Sequence, residues 1–96
     1  MKYMLSRYGI FCKVIELGSF TKAGRQLGYS QSAVSQTIKS LEKELGILLI
    51  DRKKDGIQLT SDGKQFFPYI QSVYQAEQSL HQKKLEMQGL LDSTIR

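Results

Sequence analysis

Apolar residues recur along this chain mostly at the three- and four-residue spacing of helices, with one short interval at the two-residue spacing of strands. Met4, Leu5, Tyr8, Phe11, Val14 and Ile15 fall along one helical face and Gly18 follows as a left-handed stop, which predicts a first helix. Gly9 inside it costs about 1 kcal/mol relative to alanine and leaves the start of that helix open. Ser19 offers a cap to a second, short helix with Phe20, Ala23 and Leu27 on one side, small Gly24 beside them, and Gly28 at the end. Ser30 caps a third, in which Val34, Ile38, Leu41 and Leu45 lie at i, i+4, i+7 and i+11 before Gly46. The period then drops: residues 48, 50, 57 and 59 are apolar around the turn Lys53-Lys54-Asp55-Gly56, which predicts a hairpin over 49–59. A two-residue Asp-Gly turn would set Lys54 opposite Ile57 and Arg52 opposite Leu59. A four-residue loop pairs Ile50 with Leu59 and Asp51 with Gln58, and this register is expected because it keeps apolar with apolar. Thr60 can cap a last helix from Ser61 to about Leu91, a rod of about 45 Å at 1.5 Å per residue, which Pro68 should bend near its start or split.

The stripe of the third helix decides what faces outward. Burying Val34, Ile38 and Leu41 leaves Gln31, Ser32, Ser35, Gln36 and Lys39 on or near the exposed side of its front half. Two helices joined by Gly28-Tyr29-Ser30, the second showing small polar groups, describe a helix-turn-helix. The major groove of B-DNA is about 12 Å wide and admits one helix, so the side chains of closest approach must be slim and able to hydrogen-bond base edges. Gln can bond adenine through two contacts, and Ser can donate or accept. The hairpin would lift Arg52, Lys53 and Lys54 beside that helix as a wing reaching phosphates or a minor groove. The same local sequence also suits a capped helix whose Ser and Gln meet only water, and a solvated hairpin with a basic tip.

Charge sharpens the choice. The 96 residues carry a net +5, and residues 1–64 hold 11 Lys or Arg against 6 Asp or Glu while residues 65–96 hold 3 of each. A one-sided positive field suits a polyanion. At 41% hydrophobic, the chain supports one small domain with a modest core. The single cysteine, Cys12, forms no disulfide framework or zinc cluster and is expected to pack in a reducing compartment. The opening MKYMLSRYGIF has too short an apolar run for a signal peptide, and no stretch is long and uncharged enough to cross a bilayer, so a cytoplasmic protein is expected. Lone His81 sits in the last helix, and no carboxylate pair, metal cluster or glycine-rich phosphate loop stands in the chain, so neither an enzyme nor a cofactor is expected.

The run SFTKAGRQLGYSQSAVSQTIKSLEKELGILLIDRKKDGIQLTSDG resembles the amino-terminal winged helix-turn-helix domain of LysR-type transcriptional regulators. The likeness runs from Ser-Phe-Thr through Ser-Gln-x-Ala-Val-Ser and Leu-Glu-x-x-Leu-Gly to Leu-Thr-x-x-Gly, and covers roughly residues 5–90. It implies a mainly α fold, a three-helix winged helix-turn-helix with a two-stranded wing followed by a long linker helix. It also implies that the domain binds promoter DNA as a homodimer joined through that helix. By the same resemblance Gln31, Ser32, Ala33, Ser35 and Gln36 face base edges, and Ser19, Thr21, Ser30, Lys39, Arg52, Lys53 and Lys54 touch phosphates. The chain departs from the family pattern at Ser32, where Pro is frequent, at Gly24, where Ala is usual, at Ile50, where Phe is common, and at Gln36, where Arg often sits. The last departure speaks against a guanine-reading contact there.

Residues 1–60 are thus expected to form the DNA-binding domain, 61–91 a dimerisation helix, and 92–96 the start of a hinge to an effector-binding domain absent from this chain, through which alone a small-molecule inducer would act. In the last helix Phe66, Ile70, Val73, Glu77, Leu80, Lys84, Met87 and Leu91 follow alternating four and three spacing, a seam interrupted by two charges. An antiparallel pair with its two-fold near residues 80 and 81 would set Glu77 of one chain against Lys84 of the other, and two recognition helices so held would read an interrupted palindrome. The rival expectation is a winged helix that binds another protein through its third helix and has no preference for DNA sequence.

Overall fold

The computed structural model describes residues 5–52 and 56–89. Met4, Lys53, Lys54, Leu91 and residues 92–96, all named above, lie outside that range. The elements run α1 (Arg7–Leu17), α2 (Phe20–Leu27), α3 (Gln31–Leu45), β1 (Ile50–Asp51), β2 (Gln58–Leu59) and α4 (Ser61–Met87). Each helix opens on a hydroxyl cap. Ser6 accepts from Gly9 N, Ser19 from Lys22 N, Ser30 from Ala33 N and Thr60 from Gly63 N, each relieving one of the amides that a helix start leaves without a partner. Ser6 settles the start of α1, which the apolar spacing alone left open. Between α2 and α3 the chain reverses at Gly28, whose φ of 82° is a left-handed conformation that residues with a Cβ adopt at a cost.

The strands pair antiparallel with Ile50 opposite Leu59 and Asp51 opposite Gln58, the register expected from apolar matching. Around the helix-turn-helix a core forms from Ile10, Phe11 and Val14 of α1, Ala23 of α2, Val34, Ile38 and Leu41 of α3, Leu49 and Ile50 at the wing, and Ile70 of α4. Full burial of each large aliphatic side chain contributes about 1.5–3 kcal/mol, so these few residues carry most of the hydrophobic stabilisation. Cys12 joins them on α1, as expected. Burial, and behind it the nearby carboxylates of Glu16 and Glu77, push its thiol up to about 11.

The last helix differs from expectation in two ways. Of the two outcomes expected at Pro68 the split does not occur, the helix being continuous there, but it ends at Met87 rather than near Leu91. Its front half also belongs to the core: Phe67 packs edge-on to Phe11 with ring centroids 6.1 Å apart, and Phe66 and Tyr74 line the same cluster. Two more residues of the predicted seam have contacts within the chain. Ile70 is 3% exposed and committed to its own chain, while Glu77 accepts a hydrogen bond from the Ser6 hydroxyl. Tyr69, Val73, Leu80 and Met87 are the large apolar side chains of α4 that remain exposed. The core therefore continues across residue 60 into α4.

Candidate nucleic-acid interface

The front half of α3 is presented by its back. Val34, Ile38 and Leu41 are fully buried, which rotates Gln31, Ser32, Ala33 and Gln36 into solvent, with Ser35 half-buried at the edge. With Lys39, these five residues line one open depression along the helix. The structure thus brings together the whole group expected to meet base edges, and adds one cation at its rim. None of the six has a bulky or acidic side chain.

Of the residues expected on phosphates, Lys39 lines this depression, and Ser30 caps the helix that carries it. Ser19 and Ser30 cap α2 and α3, and Thr21 is exposed in the first turn of α2. Each capping hydroxyl oxygen accepts from its own helix amide, which leaves its O–H able to donate. Neither α2 nor α3 has an acidic residue in its first turn, whereas α4, on the far side of the wing, has Asp62 there. The positive end of the α3 dipole is therefore left uncompensated where Gln31 lines the depression, and that of α2 at its own start, an arrangement that favours anions.

Arg52 makes contacts within the chain that the sequence did not suggest. Its guanidinium lies over the Phe20 ring, 5.1 Å from the centroid, and Nη1 is 3.9 Å from Glu42 Oε1. Glu42 itself escaped the sequence reading. It is buried in α3 and its Oε2 accepts from Leu49 N at 2.8 Å and Ile50 N at 3.2 Å, tying the first wing strand to α3. The available signal was an acid beside Leu41 on the flank of the buried stripe, within the Leu-Glu-x-x-Leu-Gly motif, where charge usually means solvent. No grouping of His, Cys, Asp and Glu among the described residues could hold a metal ion, and no described helix is long and apolar enough to cross a membrane.

Comparison with known proteins agrees with this geometry. The family described as "Bacterial regulatory helix-turn-helix protein, lysR family" matches residues 5–64. An uncharacterised HTH-type transcriptional regulator of Bacillus subtilis, YvbU, is 38% identical over 92 residues, covering 95% of this chain and 32% of that one. The HTH-type transcriptional activator AaeR of Escherichia coli is 36% identical over 92 residues, covering 96% and 30%. The chain spans about a third of the length of these relatives. Among solved structures, the BenM DNA-binding domain in complex with catB site 1 DNA superposes with a TM-score of 0.74 at 30% identity, over 84% of this chain and 91% of that one. DarR of Vibrio fischeri, also in complex with DNA, gives a TM-score of 0.74 at 29% identity over 92% of this chain and 30% of its own. With four helices, a paired two-stranded wing and a family match across more than half its length, this chain belongs to the LysR family of bacterial helix-turn-helix regulators.

Proposed function

We propose that this chain is the DNA-binding part of a cytoplasmic transcriptional regulator, which reads duplex sequence through the front of α3 and binds as a homodimer through α4. The observation that carries this reading is the depression lined by Gln31, Ser32, Ala33, Ser35, Gln36 and Lys39, uncharged but for its rim and begun by a helix start free of acidic residues. Slim neutral donors and acceptors suit base edges, while the surrounding hydroxyls, amides and Lys39 suit the phosphates on either side. That solved relatives hold DNA supports the same conclusion. Lys53 and Lys54, at the wing's turn, complete the phosphate set by sequence. Dimerisation draws support from the exposed row Tyr69, Val73, Leu80 and Met87, which continues beyond the body of the domain. The inducer, if the full-length protein has one, acts through a further domain that the longer relatives have room for.

Selection of bound fragments from random duplexes tests the reading. The expected product is an interrupted palindrome whose affinity falls steeply with salt and exceeds that for random DNA by at least about 10³. Equal affinity for all duplexes, or none, would favour a winged helix that binds protein instead.

A further inference from the structure

We infer that Arg52 is a positioning residue, which neutralises buried Glu42 and fixes the wing against the recognition helix, and is not one of the phosphate contacts. The inference rests on the DNA-binding reading for its second readout only. Glu42 is 5% exposed, and its carboxylate is divided between two tasks. Oε2 receives two strand amides, Leu49 N and Ile50 N, while Oε1 faces Arg52 Nη1 at 3.9 Å. A carboxylate drawn this far from water is tolerated only with charge compensation and hydrogen bonds together. The amides supply the second, and Arg52 supplies the first.

Geometry holds Arg52 to that task. Its side chain is 34% exposed, with Cζ over the ring of Phe20, the first residue of α2, and Nη1 toward Glu42 in α3. One arginine from the wing thus meets both helices of the helix-turn-helix. Both contacts draw the guanidinium toward the base of the wing, and an Arg52 pulled out to a phosphate would leave Glu42 without its cation. The placement of β1 against the two helices then depends on this three-way contact.

Arg52→Gln and the double variant Glu42→Gln/Arg52→Gln separate the two roles in the 96-residue chain. Glutamine at 42 keeps a carbonyl to accept from Leu49 N and Ile50 N but needs no cation. In thermal melting, which requires no DNA, Arg52→Gln is expected to lower Tm by several degrees and the double variant to regain most of that loss. An unchanged Tm for Arg52→Gln, or a double variant no more stable than the single, would overturn the assignment. On a duplex recovered by selection, Arg52→Gln should weaken binding roughly tenfold while leaving the slope of log affinity against log salt unchanged, and the double variant should recover most of the affinity. A slope flattened by about 0.9, which is the loss of one phosphate contact, would return Arg52 to the DNA surface. If the unaltered chain fails to select any duplex, the DNA-binding reading falls while the melting result still decides the role of Arg52.

Discussion

Gln31 and Lys39 sit on the same depression, yet their removal should be felt differently. A glutamine offers one donor and one acceptor in fixed relation, so its contribution depends on which base edge it meets, whereas an ammonium meets every phosphate alike. Gln31→Ala is expected to cost about 1–3 kcal/mol of discrimination at one or two base pairs, and Lys39→Ala to weaken all duplexes and flatten the salt slope by about one unit. Equal losses for Gln31→Ala on selected and random DNA would remove it from the base-reading set. Cys12 makes a separate prediction. Its folded pKa, about 11, lies above the ordinary value of 9.0, so the thiol stabilises the fold below pH 9 and that contribution is lost as pH rises toward 11. Denaturation midpoints followed over that range should fall more steeply for the parent chain than for Cys12→Ala. The outward-facing residues of α3 were readable from sequence because a buried stripe at helical spacing fixes its own opposite face. Glu42 and Arg52 were not, because charge on a helix flank or hairpin normally means water, and only the folded wing brings the two together.

At the scale of elements the wing is held by its ends. Thr60 donates through its backbone to Leu49 O at 3.0 Å and through its hydroxyl to Leu48 O, while the same hydroxyl accepts from Gly63 N to start α4. The strand and the helix meet so closely that a Cβ on Gly63 would lie 2.3 Å from Leu49 O. Backbone on both sides leaves little room to adjust, so Gly63→Ala should destabilise the chain by about 1–3 kcal/mol, measured by urea denaturation. A change under about 0.5 kcal/mol would mean that the joint yields easily. The hairpin register was readable because only one alignment matched Ile50 with Leu59, and the helix limits because hydroxyl caps and glycines bracket the apolar runs. The facing of α4 was not. Phe66, Ile70, Tyr74 and Glu77 form one face and Tyr69, Val73, Leu80 and Met87 another about 80° round the helix, and a single seam drawn by spacing runs through both. Pro68 likewise suggests a bend or a split, and the helix runs unsplit through it, with Phe67 and Ile70 on either side packed on the core.

Over the whole molecule, α4 makes the shape. The described residues extend 53 × 26 × 19 Å, because the helix runs past the small body that its first half completes. Leu80 is 72% exposed and Met87 78%, in a stretch of α4 that lies beyond Tyr74, where packing on the core ends. A 96-residue chain gains nothing by holding such side chains in water, whereas a second copy laid along them would bury an apolar strip and fix two α3 helices at one separation. Leu80→Arg tests this, since Leu80 lies clear of the core and its replacement leaves the fold's own packing intact. The parent chain should sediment as a dimer at micromolar concentration and the variant as a monomer with the same melting temperature. Affinity for an isolated half-site should be unchanged, while affinity for the full palindrome should fall by about 10²–10⁴, the advantage that linking two binding modules confers. A Leu80→Arg chain that still sediments as a dimer and keeps its palindrome affinity would show that the two copies meet elsewhere, and the exposed row on α4 would then need another occupant.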